Sequence, residues 1–143
     1  MNPSEFEGRL NLIIPSDDAF HIDALAAFVE EAGDVRSHPQ TASAIFEYME
    51  RYSTNDLGSP GPLVHFLEKA FPSYTPQLVA SIRRRPVFYT LWMANRILNA
   101  KIDVNTRKLL TEALKVASSH PEASDRERQQ AIEFLALHAQ SMG

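Results

Sequence analysis

The sequence predicts an all-α fold, and three observations carry that expectation. Apolar residues recur at helical spacing along nearly the whole chain, no stretch alternates with period two between glycine-rich turns, and the breaks between periodic stretches are short and proline-marked. At 143 residues with 44% apolar and 22% charged residues, the chain can bury a core of its own and lies outside the composition of disordered proteins. The expected arrangement is a single domain over 1–143, an irregular helical bundle or short α-solenoid of seven to eight helices in antiparallel hairpins.

A first helix is expected around Glu5 to Ile14. After Ser16, Asp17 and Asp18, a second presents Ile22, Leu25, Ala26 and Val29 on one face and ends at Gly33. A third follows Pro39 with Ala42, Ile45, Phe46 and Met49 as its buried stripe. Ser59-Pro60-Gly61-Pro62 combines a capping side chain with prolines suited to a first turn, so a fourth helix with Leu63, Phe66, Leu67 and Ala70 begins there. Pro72 closes it. Thr75 and Pro76 open a fifth, carrying Leu78, Val79 and Ile82 and stopping at Arg85 before Pro86.

The sixth, from Pro86 to about Ala100, is apolar on most sides: Val87, Leu91, Ala94 and Leu98 form one side, Met93 and Ile97 extend it, and Trp92 and Phe88 flank the other edge. This pattern predicts a central helix with Trp92 in the core. Asn95 and Arg96, in its narrow polar sector, would then need partners, and Glu68 and Glu112 are the candidates. Asp103 and Asn105 offer caps for a seventh helix striped by Leu109, Leu110, Ala113, Leu114 and Ala117. Ser124 and Glu127 stand at capping-box spacing before an eighth, with Ile132, Leu135, Ala136 and Ala139 as its expected core face.

Signatures of chemistry are missing from the sequence. There is no cysteine, so disulfides, thiolate metal sites and cysteine nucleophiles are excluded. None of His21, His38, His65, His120 and His138 lies four residues from another or within HExxH, no serine sits in GxSxG, and five glycines form no phosphate loop. His65 is expected to be a partly buried structural ring. The adjacent carboxylates Asp17 and Asp18, and Glu30 and Glu31, point about 100° apart on a helix and so do not converge as an acid and base pair. The sequence thus implies a non-enzyme without cofactor or metal. No basic leader precedes an apolar run and no segment reaches the roughly 20 apolar residues of a membrane helix, which places the expected site of action in the cytoplasm.

Charge is distributed unevenly. Residues 1–60 hold 11 acidic and 3 basic side chains, net −8, whereas residues 61–143 hold 7 acidic and 11 basic, net +4. Clustered Lys and Arg drive phosphate binding, so the acidic part disfavours nucleic acid and favours a basic protein partner. Arg83, Arg84 and Arg85 fall in the last turn of the fifth helix, where cations complement exposed carbonyls, and no second basic cluster adjoins them in the sequence.

From Gly58 onward, over about the last three fifths of the chain, the sequence resembles the small helical immunity proteins encoded beside bacterial polymorphic and contact-dependent growth inhibition toxins. The residues that carry the likeness are Ser59-Pro60-Gly61-Pro62-Leu63-Val64-His65 with Glu68, Ser81-Ile82-Arg83-Arg84-Arg85-Pro86, the run from Leu91 to Asn99, and His120-Pro121. The resemblance implies a protein that binds a cognate toxin domain and covers its active or substrate-binding site. It assigns no contact residues. Charge instead nominates Asp17, Asp18, Glu30, Glu31, Asp34, Glu47 and Glu50 for a partner with a basic surface such as a nuclease toxin, leaving His65, Glu68, Trp92, Asn95, Arg96 and Glu112 as structural. A helical adaptor in a regulatory complex is the alternative, and a nucleic-acid-binding regulator using Arg83 to Arg85 with Arg96 is disfavoured by the net charge and by the expected burial of Arg96.

Overall fold

A computed structural model describes residues 1–139, which form eight α-helices and, among the described residues, no strand. These are α1 Pro3–Leu10, α2 Phe20–Glu31, α3 Pro39–Arg51, α4 Pro62–Glu68, α5 Thr75–Arg84, α6 Phe88–Leu98, α7 Val104–Ala117 and α8 Asp125–Ala139, with a 3-10 turn at Gly33–Val35. Contacts gather into two compact units, Met1–Gln77 and the chain from Leu78 onward. No helix among the described residues is long and apolar enough to cross a membrane.

In the first unit α1 packs on α3 and α2 on α4. Asn2 caps α1 by accepting from the Glu5 N–H at 2.8 Å. The helix ends at Leu10, four residues before the expected Ile14, so Leu12 and Ile14 lie beyond it in an exposed connection. The α3 stripe is as the periodicity predicts, with Ala42, Ile45, Phe46 and Met49 all buried. Ser59 does not cap α4, whose N-cap is Gly61. Gly58 and Gly61 take φ of 108° and 94°, and a Cβ on either would run into the other glycine's Cα or the Leu57 carbonyl, so the entry into α4 requires glycine at both.

α2 is rotated from its expected orientation. His21, Leu25, Phe28 and Ala32 are buried, while Ile22 and Val29 are half-buried and Ala26 is exposed. At about 100° per residue this is a rotation of roughly 80°, and it brings a histidine into the core where an apolar count places isoleucine.

In the second unit α6 packs on α7 and α8, and α7 on α8. Thr90 accepts from the Val87 N–H at 3.2 Å and starts α6. Its buried residues are Tyr89, Thr90, Leu91, Met93, Ala94, Ile97 and Leu98. Phe88, Trp92, Asn95, Arg96 and Asn99 share the remaining sector, so Trp92 is half-buried rather than a core residue and Arg96 is exposed rather than covered. Trp92 stacks obliquely on Phe88 with centroids 5.4 Å apart, and the Arg96 guanidinium stands 5.9 Å from the indole centroid. The Arg107 guanidinium donates to the Leu98 carbonyl at 3.2 Å and so satisfies one of the orphan carbonyls at the end of α6.

α7 starts on Asp103, which accepts from the Thr106 N–H at 3.0 Å. The α8 capping box is reciprocal: Ser124 N–H donates to Glu127 Oε1 at 2.8 Å, and Glu127 N–H to Ser124 Oγ at 3.1 Å. α8 itself is rotated like α2. Ala131 and His138 are its buried residues, while Ile132 and Ala136 of the expected face are exposed. His138 Nε2–H donates to Asn95 Oδ1 at 2.7 Å, which gives Asn95 a histidine in place of a carboxylate partner.

Two outcomes follow from this packing. Leu91→Ala, at a fully buried site, should lose about 2 to 5 kcal/mol, and Trp92→Ala distinctly less. Urea unfolding gives both values, and a larger loss at Trp92 would return that side chain to the core. Burial first and the Arg107 charge second hold His138 below its ordinary value of 6.5. The unfolded chain therefore takes up this proton before the folded one does, so the associated stability is present above about pH 6.5 and is lost as pH falls through the folded value. Melting of the wild type and His138→Gln across pH 5 to 8 should show the gap between them narrowing on the acid side, and a constant gap would exclude the linkage.

Candidate functional site: the acidic face of the first unit

The unit Met1–Gln77 contains 12 acidic and 4 basic residues, net −8, and the chain from Leu78 onward 6 acidic and 10 basic, net +4. The charge asymmetry of the sequence thus follows the division into units. Between Arg9 and Arg36 the chain has no Lys or Arg and six carboxylates.

The seven nominated carboxylates are not equivalent. Asp17, Asp18, Glu30, Glu31, Asp34 and Glu47 are exposed, but Glu50 is only 8% exposed and is withdrawn as a surface contact, because it turns inward on α3 beside Tyr48 and Met49. Glu31 accepts from Arg9 at 2.7 Å, tying α2 to α1, and Asp34 lies 3.3 Å from the Met1 amino group. Exposed pairs of this kind contribute little stability, and they leave the net negative charge in place. Asp18 terminates the turn before α2: its Oδ1 accepts from Ser16 Oγ at 2.6 Å and from the Phe20 N–H at 3.2 Å. Those two bonds, the Ser16 hydroxyl foremost, hold its carboxyl below the usual carboxylate range, so it is firmly anionic near neutrality.

The connection from Asn11 to Ala19 is anchored at several points. Tyr48 Oη donates to the Ile13 carbonyl at 2.6 Å. Burial, more than the neighbouring Tyr52, raises the phenol well above its ordinary value, so it stays protonated and remains a donor. His21 Nδ1 accepts from the Ser16 N–H at 3.1 Å, and its Nε2–H donates to the Asp56 carbonyl at 2.5 Å. These two bonds fix the orientation of the ring. On this anchored connection Leu12 and Ile14 stand 80% and 61% exposed, and Phe20, the first residue of α2, stands 72% exposed. Sequence reasoning misses all three: the expected first helix takes in Leu12 and Ile14 but stops short of them in the structure, and Phe20 lies outside the expected stripe of α2. The available signal was the apolar run Leu12 to Ile14 ending at Pro15.

The remaining structural candidates divide. His65 is exposed, with its side chain 59% accessible, and lies 3.9 Å from Glu68, so it is a surface ring and not a partly buried one. Helix α4 turns its 63, 64, 66 and 67 side chains inward, which sends position 65 outward. Glu112 is half-buried on α7. The arginine run has a neighbour the sequence does not reveal: His120 Nε2–H donates to the Arg83 carbonyl at 2.7 Å, and Arg128 Nε donates to the His120 carbonyl at 3.0 Å. Arg128 is in turn held by Asp125 at 2.6 Å, which offsets its charge.

Searches against family models, curated proteins and solved structures find no match for this chain.

The phenol's role is testable. Tyr48→Phe removes one donor and should lose about 1 kcal/mol. It should also speed exchange of the Ser16 amide more than that of amides in α3, as read by hydrogen exchange. Unchanged exchange at Ser16 would mean that Tyr48 does not restrain the connection.

Proposed function

We propose that this chain is an immunity-type binding module that neutralises a cognate bacterial toxin domain, with the acidic first unit directed at a basic surface of the toxin. The observation that carries the proposal is the coincidence of charge with structure: the whole net negative charge belongs to Met1–Gln77. A surface with six exposed carboxylates among the nominated residues raises the encounter rate with a basic protein and repels nucleic acid. A nuclease domain fits this description, because its substrate groove is lined by cations that the acidic unit would cover. The resemblance of the Gly58-onward sequence to immunity proteins supports the same reading, and the chain's own residues offer no cysteine nucleophile, GxSxG elbow or HExxH motif for an enzymatic alternative.

The test is binding to the protein encoded by the neighbouring gene, together with rescue of growth from that protein's toxicity when the two are co-expressed. Reversing Asp17, Glu30 and Glu47 to Lys, all exposed, should leave circular dichroism and melting unchanged. It should slow association by about tenfold or more and flatten its salt dependence. Absence of binding and of rescue by the wild type removes the proposal. Undiminished association of the reversed variant across a salt series moves the contact to the basic second unit.

A further inference from the structure

We infer that Leu12, Ile14 and Phe20 form the apolar centre of a docking surface for a protein face that carries Lys and Arg around an apolar depression. The inference rests on the binding-module reading and locates its contact. Nine large apolar side chains are exposed among the described residues, and these three fall within nine consecutive positions. A single exposed apolar residue needs no explanation, whereas three on one short anchored segment call for one.

The exposure does not arise from a loose segment. Leu12 and Ile14 alternate with half-buried Ile13 and Pro15, and the Ile13 carbonyl is held by Tyr48. Ser16 is held by His21 and by Asp18, and the Phe20 N–H by Asp18. The backbone is bonded before, within and after the run, so the three side chains are presented outward on a fixed frame.

Charge selects the occupant. Asp17, Asp18 and Asp23 are exposed in the same segment, and no Lys or Arg occurs from position 10 to 35. An apolar centre rimmed by carboxylates favours a cationic protein surface, in which the centre supplies desolvated contact and the rim steers approach. An anionic lipid surface or a nucleic acid would be repelled by the same rim.

The experiment titrates the full, isotope-labelled chain with a synthetic amphipathic peptide of Lys and Leu, and with a Glu and Leu peptide as control, following amide shifts by NMR. Shifts should concentrate on residues 12–24 for the cationic peptide alone and weaken with salt. The triple variant Leu12→Ser, Ile14→Ser, Phe20→Ser keeps every charge, and should bind at least about tenfold more weakly. Phe20→Ser alone serves if the triple variant does not fold. Shifts centred on Glu30, Glu47 or the second unit, equal binding of the two peptides, or affinity indifferent to these substitutions would overturn the inference. So would concentration-dependent self-association that the triple variant abolishes, since the occupant would then be a second copy. Because the probe is a peptide, failure to bind the neighbouring gene's product removes the proposed function and is read separately from this titration.

Discussion

Burial of Phe6 between Phe28 and Phe66 is the contact on which the acidic unit depends. α1 has eight residues, too few to hold helical structure in water without tertiary packing. Phe6 supplies that packing: it is fully buried, stacked on the α4 ring of Phe66 at 5.6 Å and tilted against the α2 ring of Phe28 at 4.9 Å. The outer faces of the cluster are covered by cations, Arg9 at 5.3 Å from Phe28 and Arg36 at 4.8 Å from Phe66. These are two of the four basic residues in the unit, and both are the residues that bound its long acidic stretch. The few positive charges are therefore placed on aromatic rings, while many of the carboxylates face solvent.

Histidine is the second recurring device. His21 and His120 each accept a backbone N–H at Nδ1 and donate Nε2–H to a distant carbonyl, and His38 caps α3 by accepting from the Gln40 N–H at 3.2 Å. One imidazole can thus satisfy a donor in its own turn and an acceptor more than thirty residues away. This explains why connections that carry neither sheet nor disulfide are still well defined. It also explains why histidines with no metal or catalytic spacing occur at helix boundaries.

The same device accounts for what was legible in the sequence and what was not. The fold class, the stripe of α3, the Asp103 cap and the Ser124–Glu127 box could all be read, because each depends on local spacing and local hydrogen bonds. The faces of α2 and α8 could not, and both deviate for one reason. In each a histidine, His21 or His138, takes a core position, and a count of apolar residues alone shifts the stripe by about one residue. Trp92 shows the converse, since a helix apolar on most sides suggests burial while its own position groups it with Phe88, Asn95 and Arg96 on the outer sector. For the candidate site, the carboxylates were legible from charge. The exposure of Leu12 and Ile14 was not, because it depends on where α1 stops, four residues short of the end that the apolar spacing suggests.

Ala19 lies at the end of the connection with φ 64° and ψ 12°, the one non-glycine residue with positive φ among the described residues. Left-handed geometry at an L-residue is unfavourable by roughly 1 to 2 kcal/mol, and glycine would adopt it without that strain. Glycine would also let the junction sample many other conformations, whereas alanine, held on either side by the Asp18 carboxylate, leaves few. The disorder that a flexible turn would surrender on meeting a partner has here already been surrendered during folding. Preorganisation of this kind lowers the entropic penalty of any association at this surface, so the strained alanine exchanges some stability of the chain for a junction already held in one shape.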